Sequence, residues 1–198
     1  MRIPDALKLA LQIGAEHQAD RAAVHYALAV STLETENGDW PNVPAGHGSN
    51  NMGAVIKYSP EQTSFDSGDT HADGSGFVSH FRTYPTPEDG YRDFWRQLMH
   101  PNVLDAATRN SGTEAVALQY ANGYFEADPG VYGQRLAKVY ERVLSETGEP
   151  RLLNFARVAM LKKKTAAQPP FQLAYSRQRA LPSSSSGAPS SSKVGGNS

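Results

Sequence analysis

The sequence has no cysteine, no apolar run near the ~20 residues needed to cross a bilayer, and no acidic residue after Glu149. The first absence removes disulfide scaffolds, thiolate metal sites and cysteine nucleophiles. The second leaves no membrane span to expect. The N-terminal stretch PDALKLALQIG also carries Asp5 and Lys8 where a secretory signal needs an uninterrupted apolar region, so no Sec signal is expected. The third absence divides the chain. Up to Glu149, eleven Lys and Arg stand against twenty Asp and Glu, a formal charge of −9; the remainder holds eight basic residues and no acid, a charge of +8. A body of that sign lacks the basic face that phosphate contacts require, which excludes nucleic acid as its partner.

What is present suits one domain with appendages. A chain of 198 residues is long enough for one good-sized core. From Pro182 to Ser198, 13 of 17 residues are Ser, Gly or Pro, too few apolar side chains to offset the entropy of ordering. Residues 166–181 read as a linker interrupted by Pro169-Pro170. The expected organisation is a domain over 1–148, a basic amphipathic helix over 149–165, and a linker with a disordered tail over 166–198. The segment LKKK (161–164), with Arg151, Arg157, Arg177 and Arg179, is a candidate for docking on an anionic carrier, although a solvated helix face gives the same pattern.

The body reads as mainly helical. Apolar spacing predicts a helix from Asp5 to about His17, and Asp20 caps a second that stops at Asn37-Gly38. Met52–Tyr58 (MGAVIKY) and Phe77–Tyr84 (FVSHFRTY) read as paired strands joined by a long polar loop. Thr86 and Pro87 open a third helix. Shorter helices follow at about 101–109 and 113–121, then one from Pro129 to Glu146 closed by Gly148, and a last amphipathic one at 151–164.

One carboxylate in this pattern stands out. Counting back three, four and seven residues from Glu34 gives Ser31, Val30 and Ala27, so Glu34 shares the face that the helix buries, whereas Glu36 projects elsewhere. Both acids crowd a helix C-terminus, where the macrodipole is already negative. Burial and the dipole together disfavour ionisation of Glu34, the condition of a general acid. Acids solvated at a fraying helix end would share this pattern.

Four stretches then resemble a known family in order and spacing: ALAVSTLETENG (27–38), SNNMGAV (49–55), FRTYPTPEDGYRDFWRQL (81–98) and ANGYFEADPGVYGQRLAKVY (121–140). The chain resembles the glucosaminidase branch of lysozyme-like peptidoglycan hydrolases: glycoside hydrolase family 73 and the mannosyl-glycoprotein endo-β-N-acetylglucosaminidase-like domains. The resemblance covers about residues 20–145. It implies a lysozyme-like α+β fold, mainly α, in which a helical bundle and a small β-hairpin lobe flank a substrate cleft. It implies that Glu34 protonates the glycosidic oxygen, that Asn50 or Asn51, the turn asparagine, binds the substrate, and that Tyr124 and Tyr132 line a sugar cleft where an aromatic face stacks on a pyranose. The substrate so implied is the β-1,4-linked glycan of peptidoglycan. Action in the periplasm or wall without a Sec signal points to delivery by a virion, a holin or a secretion or injection apparatus. The residues after Gly38 depart from the family pattern.

A two-carboxylate mechanism needs a second acid, and the hairpin region offers Glu61, Asp66, Asp69 and Asp73 without singling one out. The substrate's own N-acetyl carbonyl, or the muramic 6-hydroxyl as in lytic transglycosylases, are the other routes, and a catalytically idle wall-binding module is the reading from a different class. No cofactor or metal is expected. DTHADG (69–74) matches half a calcium loop, but His71 replaces an oxygen ligand and His80 stands where the loop needs Glu.

Overall fold

Three helices begin on side-chain caps, of which Asp20 and Thr86 are read directly from the sequence. Asp20 accepts the Ala22 N–H at 2.7 Å, Thr86 the Asp89 N–H at 3.2 Å, and Asp128 the Val131 N–H at 3.0 Å. The computed structural model describes residues 1–38, 49–70 and 74–155. In chain order its elements are α1 (Ile3–Glu16), α2 (Arg21–Thr35), β1 (Ser64–Thr70), β2 (Gly76–Arg82), α3 (Pro87–Leu98), α4 (Pro101–Thr108), α5 (Gly112–Ala121) and α6 (Pro129–Thr147). Six helices and one antiparallel hairpin among the described residues are the mainly helical α+β arrangement expected, consistent with a lysozyme-like fold.

Helix α2 is the axis of the molecule. Every residue from Ala22 to Thr32 is buried, and the helix packs against α1, α4 and α6. Small residues at Ala22, Ala23, Ala27 and Ala29 let those neighbours approach, while Tyr26, Leu28 and Val30 each contribute about 1.5–3 kcal/mol of burial. The C-terminus of α2 is built with unusual firmness. Glu36, Asn37 and Gly38 take left-handed conformations in succession, with φ of 48°, 58° and 79°. Thr35 accepts the Gly38 N–H at 3.1 Å, and the Thr32 hydroxyl lies 3.1 Å from Asn37 Oδ1. The last turn of α2, which carries Glu34, therefore cannot unwind freely.

The hairpin differs from expectation in its first strand. MGAVIKY is not a strand: its Ile56 makes an isolated bridge to Phe81, with the Lys57 N–H on the His80 carbonyl at 2.8 Å. The strand is SFDSGDT, within the stretch whose composition predicts a polar loop, paired from Ser64 opposite Arg82 to Thr70 opposite Gly76. Tertiary pairing overrides its poor β propensity. Phe65 sits opposite Phe81 with ring centroids 5.8 Å apart, and those two buried rings fix the register. Residues 51–55 form a turn instead, held by the fully buried Asn51. Its amide donates to the Val55 and Arg82 carbonyls at 2.9 and 3.0 Å, and its oxygen accepts from Val55 N at 2.9 Å. Gly90 of α3 lets this turn close in, because a Cβ there would stand 1.7 Å from the Asn50 carbonyl oxygen.

One carboxylate joins the hairpin to the helices. Asp93 of α3, 6% exposed, accepts from Tyr84 at 2.6 Å, from Arg96 at 2.5 Å and from Arg82 at the end of β2. Burial alone would raise its pKa, but the Tyr84 and Arg96 hydrogen bonds and the Arg82 and Arg96 charges outweigh it, leaving the carboxyl below its ordinary value.

Beyond α6 the chain turns back through the left-handed Gly148. The expected helix over 151–164 is absent across its described residues, 151–155, which run extended; the rest of it lies outside the described residues, as does the tail from 166. The extended segment is a strap. Arg21 holds Glu149 through two nitrogens, the Tyr140 hydroxyl accepts the Leu152 and Leu153 N–H groups at 2.9 and 3.2 Å, and Leu153 is 1% exposed.

Two outcomes are expected. Leu153→Ala should cost about 2–4 kcal/mol in urea unfolding, the effect of emptying a core site. Asp93→Asn should cost roughly 3 kcal/mol, because it leaves Arg82 facing an uncharged group. The wild-type advantage over Asp93→Asn is complete above the ordinary carboxyl value of 3.8 and declines as pH falls below it, since the unfolded chain takes up the proton first. Paired urea titrations at pH 7 and at pH 3 check both the size and the sign.

Candidate active site

Tyr26, Val30 and Glu34 follow one another at four-residue spacing along α2, so the carboxylate continues a buried line of the helix. Glu34 itself is half-buried. Ninety-eight residues further on, Asp128 and Pro129 start α6 so that Tyr132 lies in its first turn, and the Tyr132 hydroxyl donates to Glu34 Oε1 at 2.7 Å.

Two of the expected site residues therefore meet, though Tyr132 meets Glu34 differently from expectation. Phe125 stacks flat on the Tyr132 ring, with centroids 3.8 Å apart and 10° between planes, and Tyr132 is 7% exposed. One ring face is thus covered and the hydroxyl is the working group. Tyr124 closes the same corner. Its N–H donates to the Gln119 carbonyl at 3.0 Å and its hydroxyl to the Gly53 carbonyl at 3.3 Å, linking the end of α5 to the turn before the hairpin. Burial pushes the pKa of both phenols far up and the Glu34 charge adds to this, so they remain donors at any working pH.

The two asparagines serve the wall. Against the expectation that it binds the substrate, Asn51 is fully buried with its amide committed to the turn, so its role is to hold that turn. Asn50 takes a left-handed φ of 42° and donates to the Tyr84 carbonyl at 2.9 Å. Glu36 faces away, with Arg142 of α6 at 3.0 Å from its carboxylate.

Of the four candidate second acids, Glu61 is engaged by the Ser59 hydroxyl and borders an open groove with Glu16, Arg82, Arg92 and Arg96. Asp66 is exposed and pairs with His80 Nδ1 at 2.6 Å. Asp69 stands opposite Phe77 in the hairpin register, and Asp73 lies outside the described residues, as does the departing stretch 39–48 after Gly38. Sequence reasoning missed three residues of this corner. Phe125 was readable as the neighbour of Tyr124, and Tyr26 from its four-residue spacing to Glu34; Gln119, which accepts the Tyr26 hydroxyl at 2.7 Å, gave no signal.

No protein-family model and no curated protein matches the chain. Two solved structures overlap with it in part. The catalytic domain of the autolysin Auto from Listeria monocytogenes does so with a TM-score of 0.48 at 13% identity, covering 77% of this chain and 84% of that one. A peptidoglycan hydrolase mutant from Sphingomonas sp. A1 does so with a TM-score of 0.49 at 21% identity, covering 72% of this chain and 94% of that one. At that level of overlap the residues, and not the likenesses, carry the reading of the site.

Tyr132→Phe keeps the ring against Phe125 and removes the hydrogen bond to Glu34. The lost donor stabilised the ionised carboxylate, so the Glu34 titration should move up. Carboxyl NMR of the folded variant reads this directly; an unmoved midpoint would show that the contact has no electrostatic consequence.

Proposed function

We propose that the chain is a peptidoglycan hydrolase that cleaves β-1,4 glycosidic bonds of the glycan strands, with Glu34 as general acid. The observation that carries this reading is the Tyr132–Glu34 hydrogen bond, which brings together the first and last of the four stretches that resemble the glucosaminidase family. A half-buried carboxylate at a helix C-terminus suits an acid that must keep a proton near neutrality, and the phenol on Oε1 holds that carboxylate in one orientation for delivery. Glu34 gives its proton to the glycosidic oxygen, the bond from that oxygen to the anomeric carbon breaks, and the positive charge left on the sugar is met by a nucleophile. Glu34, now ionised, can take a proton from that nucleophile or from the water that follows.

Asp66 is paired with His80 and Glu61 with Ser59, and a route with one protein carboxylate stands beside the two-carboxylate one. In such a route the substrate's N-acetyl carbonyl attacks the anomeric carbon, or the muramic 6-hydroxyl does so and leaves a 1,6-anhydro end. Tyr124 supports the reading as a hydroxyl at the same corner, placed where the turn before the hairpin meets the helical wall.

The test is Glu34→Gln on purified sacculi. The variant should melt as the wild type does and lose turnover by at least the ~10²–10⁴ of general acid catalysis, with Glu36→Gln much milder. Near wild-type turnover by folded Glu34→Gln would overturn the assignment. Mass spectrometry of the wild-type products assigns the route, because reducing N-acetylglucosamine, reducing N-acetylmuramic acid and 1,6-anhydro ends differ.

A further inference from the structure

His25 is a buried titratable group that the glycosidase reading leaves without a task. It sits on α2 and is fully buried. Its Nδ1 has no hydrogen-bond partner among the described residues, and its Nε2 stands 3.3 Å from Glu149 Oε2 without the geometry of a hydrogen bond. An imidazole enclosed in this way is costly to bury when neutral and costlier when protonated.

Glu149 is the first residue of the strap that follows α6. The strap turns at Gly148, whose φ is 70° and whose Cβ position faces open space. Four contacts close it. Arg21 of α2 holds Glu149, the Tyr140 hydroxyl accepts the Leu152 and Leu153 N–H groups, the Asn154 N–H donates to the Asn110 carbonyl at 2.9 Å, and the Phe155 ring fills the room left by Gly112. All are made by an extended segment, so they can part with the helices intact. Tyr140 also tilts against the His25 ring, with centroids 6.3 Å apart. The strap and the imidazole thus share two neighbours, Glu149 and Tyr140.

We infer that residues 149–155 are an acid-sensitive latch, closed against His25 while that ring is neutral and released when it takes up a proton. The charged groups acting on the ring are Glu149 from the strap and Arg21 and Asp20 from the start of its own helix. Helix α6 presents the Tyr140 ring, and α1 and α4 present no charge to it among the described residues. Burial is the largest influence and pulls the imidazole below its ordinary 6.5; Glu149 and Asp20 oppose this, and Arg21 adds to it. Glu149 is itself held below its ordinary value by the Arg21 hydrogen bonds, so it stays ionised while His25 titrates. The exposed ring of the open strap therefore protonates first. Closure is fully favoured above 6.5 and weakens as pH falls below it. Release adds about 24 Å of chain between α6 and the basic sequence that follows.

Hydrogen exchange of the full chain between pH 7.5 and 5.5, corrected for the intrinsic effect of pH on exchange, reads the latch at the Leu152 and Leu153 amides. Their opening should rise in acid by up to about tenfold per pH unit, the limit for one proton, and His25→Phe should abolish the rise. At every pH these amides should open more often than those in the middle of α2. A flat profile in the wild type, a rise that persists in His25→Phe, or opening no more frequent than that of α2 overturns the latch. Where His25→Phe does not fold, NMR titration of the wild-type ring decides. A midpoint below 6.5 supports release, whereas one at or above it means that Glu149 captures the proton and acid tightens the strap, which overturns the inference. Neither readout uses turnover, so the behaviour of Glu34→Gln on sacculi bears on the functional reading alone.

Discussion

Asp93 receives hydrogen bonds from both sides of the molecule. Tyr84 and Arg82 reach it from the hairpin strand and the residues after it, and Arg96 reaches it from its own helix. Arg82 is also sandwiched between aromatic rings, its guanidinium 5.1 Å from the Tyr58 centroid and 4.6 Å from that of Tyr84. A two-stranded hairpin is marginal by itself in water. Its position relative to the helices is therefore set by this carboxylate and by the buried Asn51 turn beside it. The wall of the candidate site inherits its geometry from those two anchors, because Gly53, the acceptor for Tyr124, lies within the same turn.

Helix α2 supplies the complementary constraint. It is surrounded by other helices over most of its length, and its C-terminal turn is locked by Thr32, Thr35 and three consecutive left-handed residues. Glu34 sits in that turn on a rigid support, one oxygen engaged by a residue from α6. The position of Glu34 thus depends on packing, and the phenol that holds it is kept un-ionised by burial.

Where structure follows from neighbours in sequence, the sequence was readable. Asp20, Thr86 and Gly148 mark helix ends by chemistry confined to a single turn, and the burial of the Glu34 face follows from small residues three and four positions before it. The hairpin was not readable in the same way. MGAVIKY has the apolar content of a strand but is consumed by a turn around Asn51, whereas SFDSGDT becomes a strand because Phe65 finds Phe81. The strap after α6 was hidden for a like reason: RLLNF has helical spacing, but the Tyr140 hydroxyl takes its backbone N–H groups. Tyr26 and Gln119 meet across 93 residues, a pairing that no local pattern announces.

The composition of β1 has a consequence for copies of the chain meeting in solution. In the two-stranded sheet β1 lies at an edge, with Asp66, Ser67, Gly68 and Asp69 in sequence along it. An edge strand offers unpaired backbone groups to any passing strand, and hydrophobic edges of this kind seed aggregation. Acidic and flexible residues make a poor template, since two such edges brought together would oppose like charges. The polar content that disguises β1 as a loop is thus also what keeps the hairpin from growing into a larger sheet.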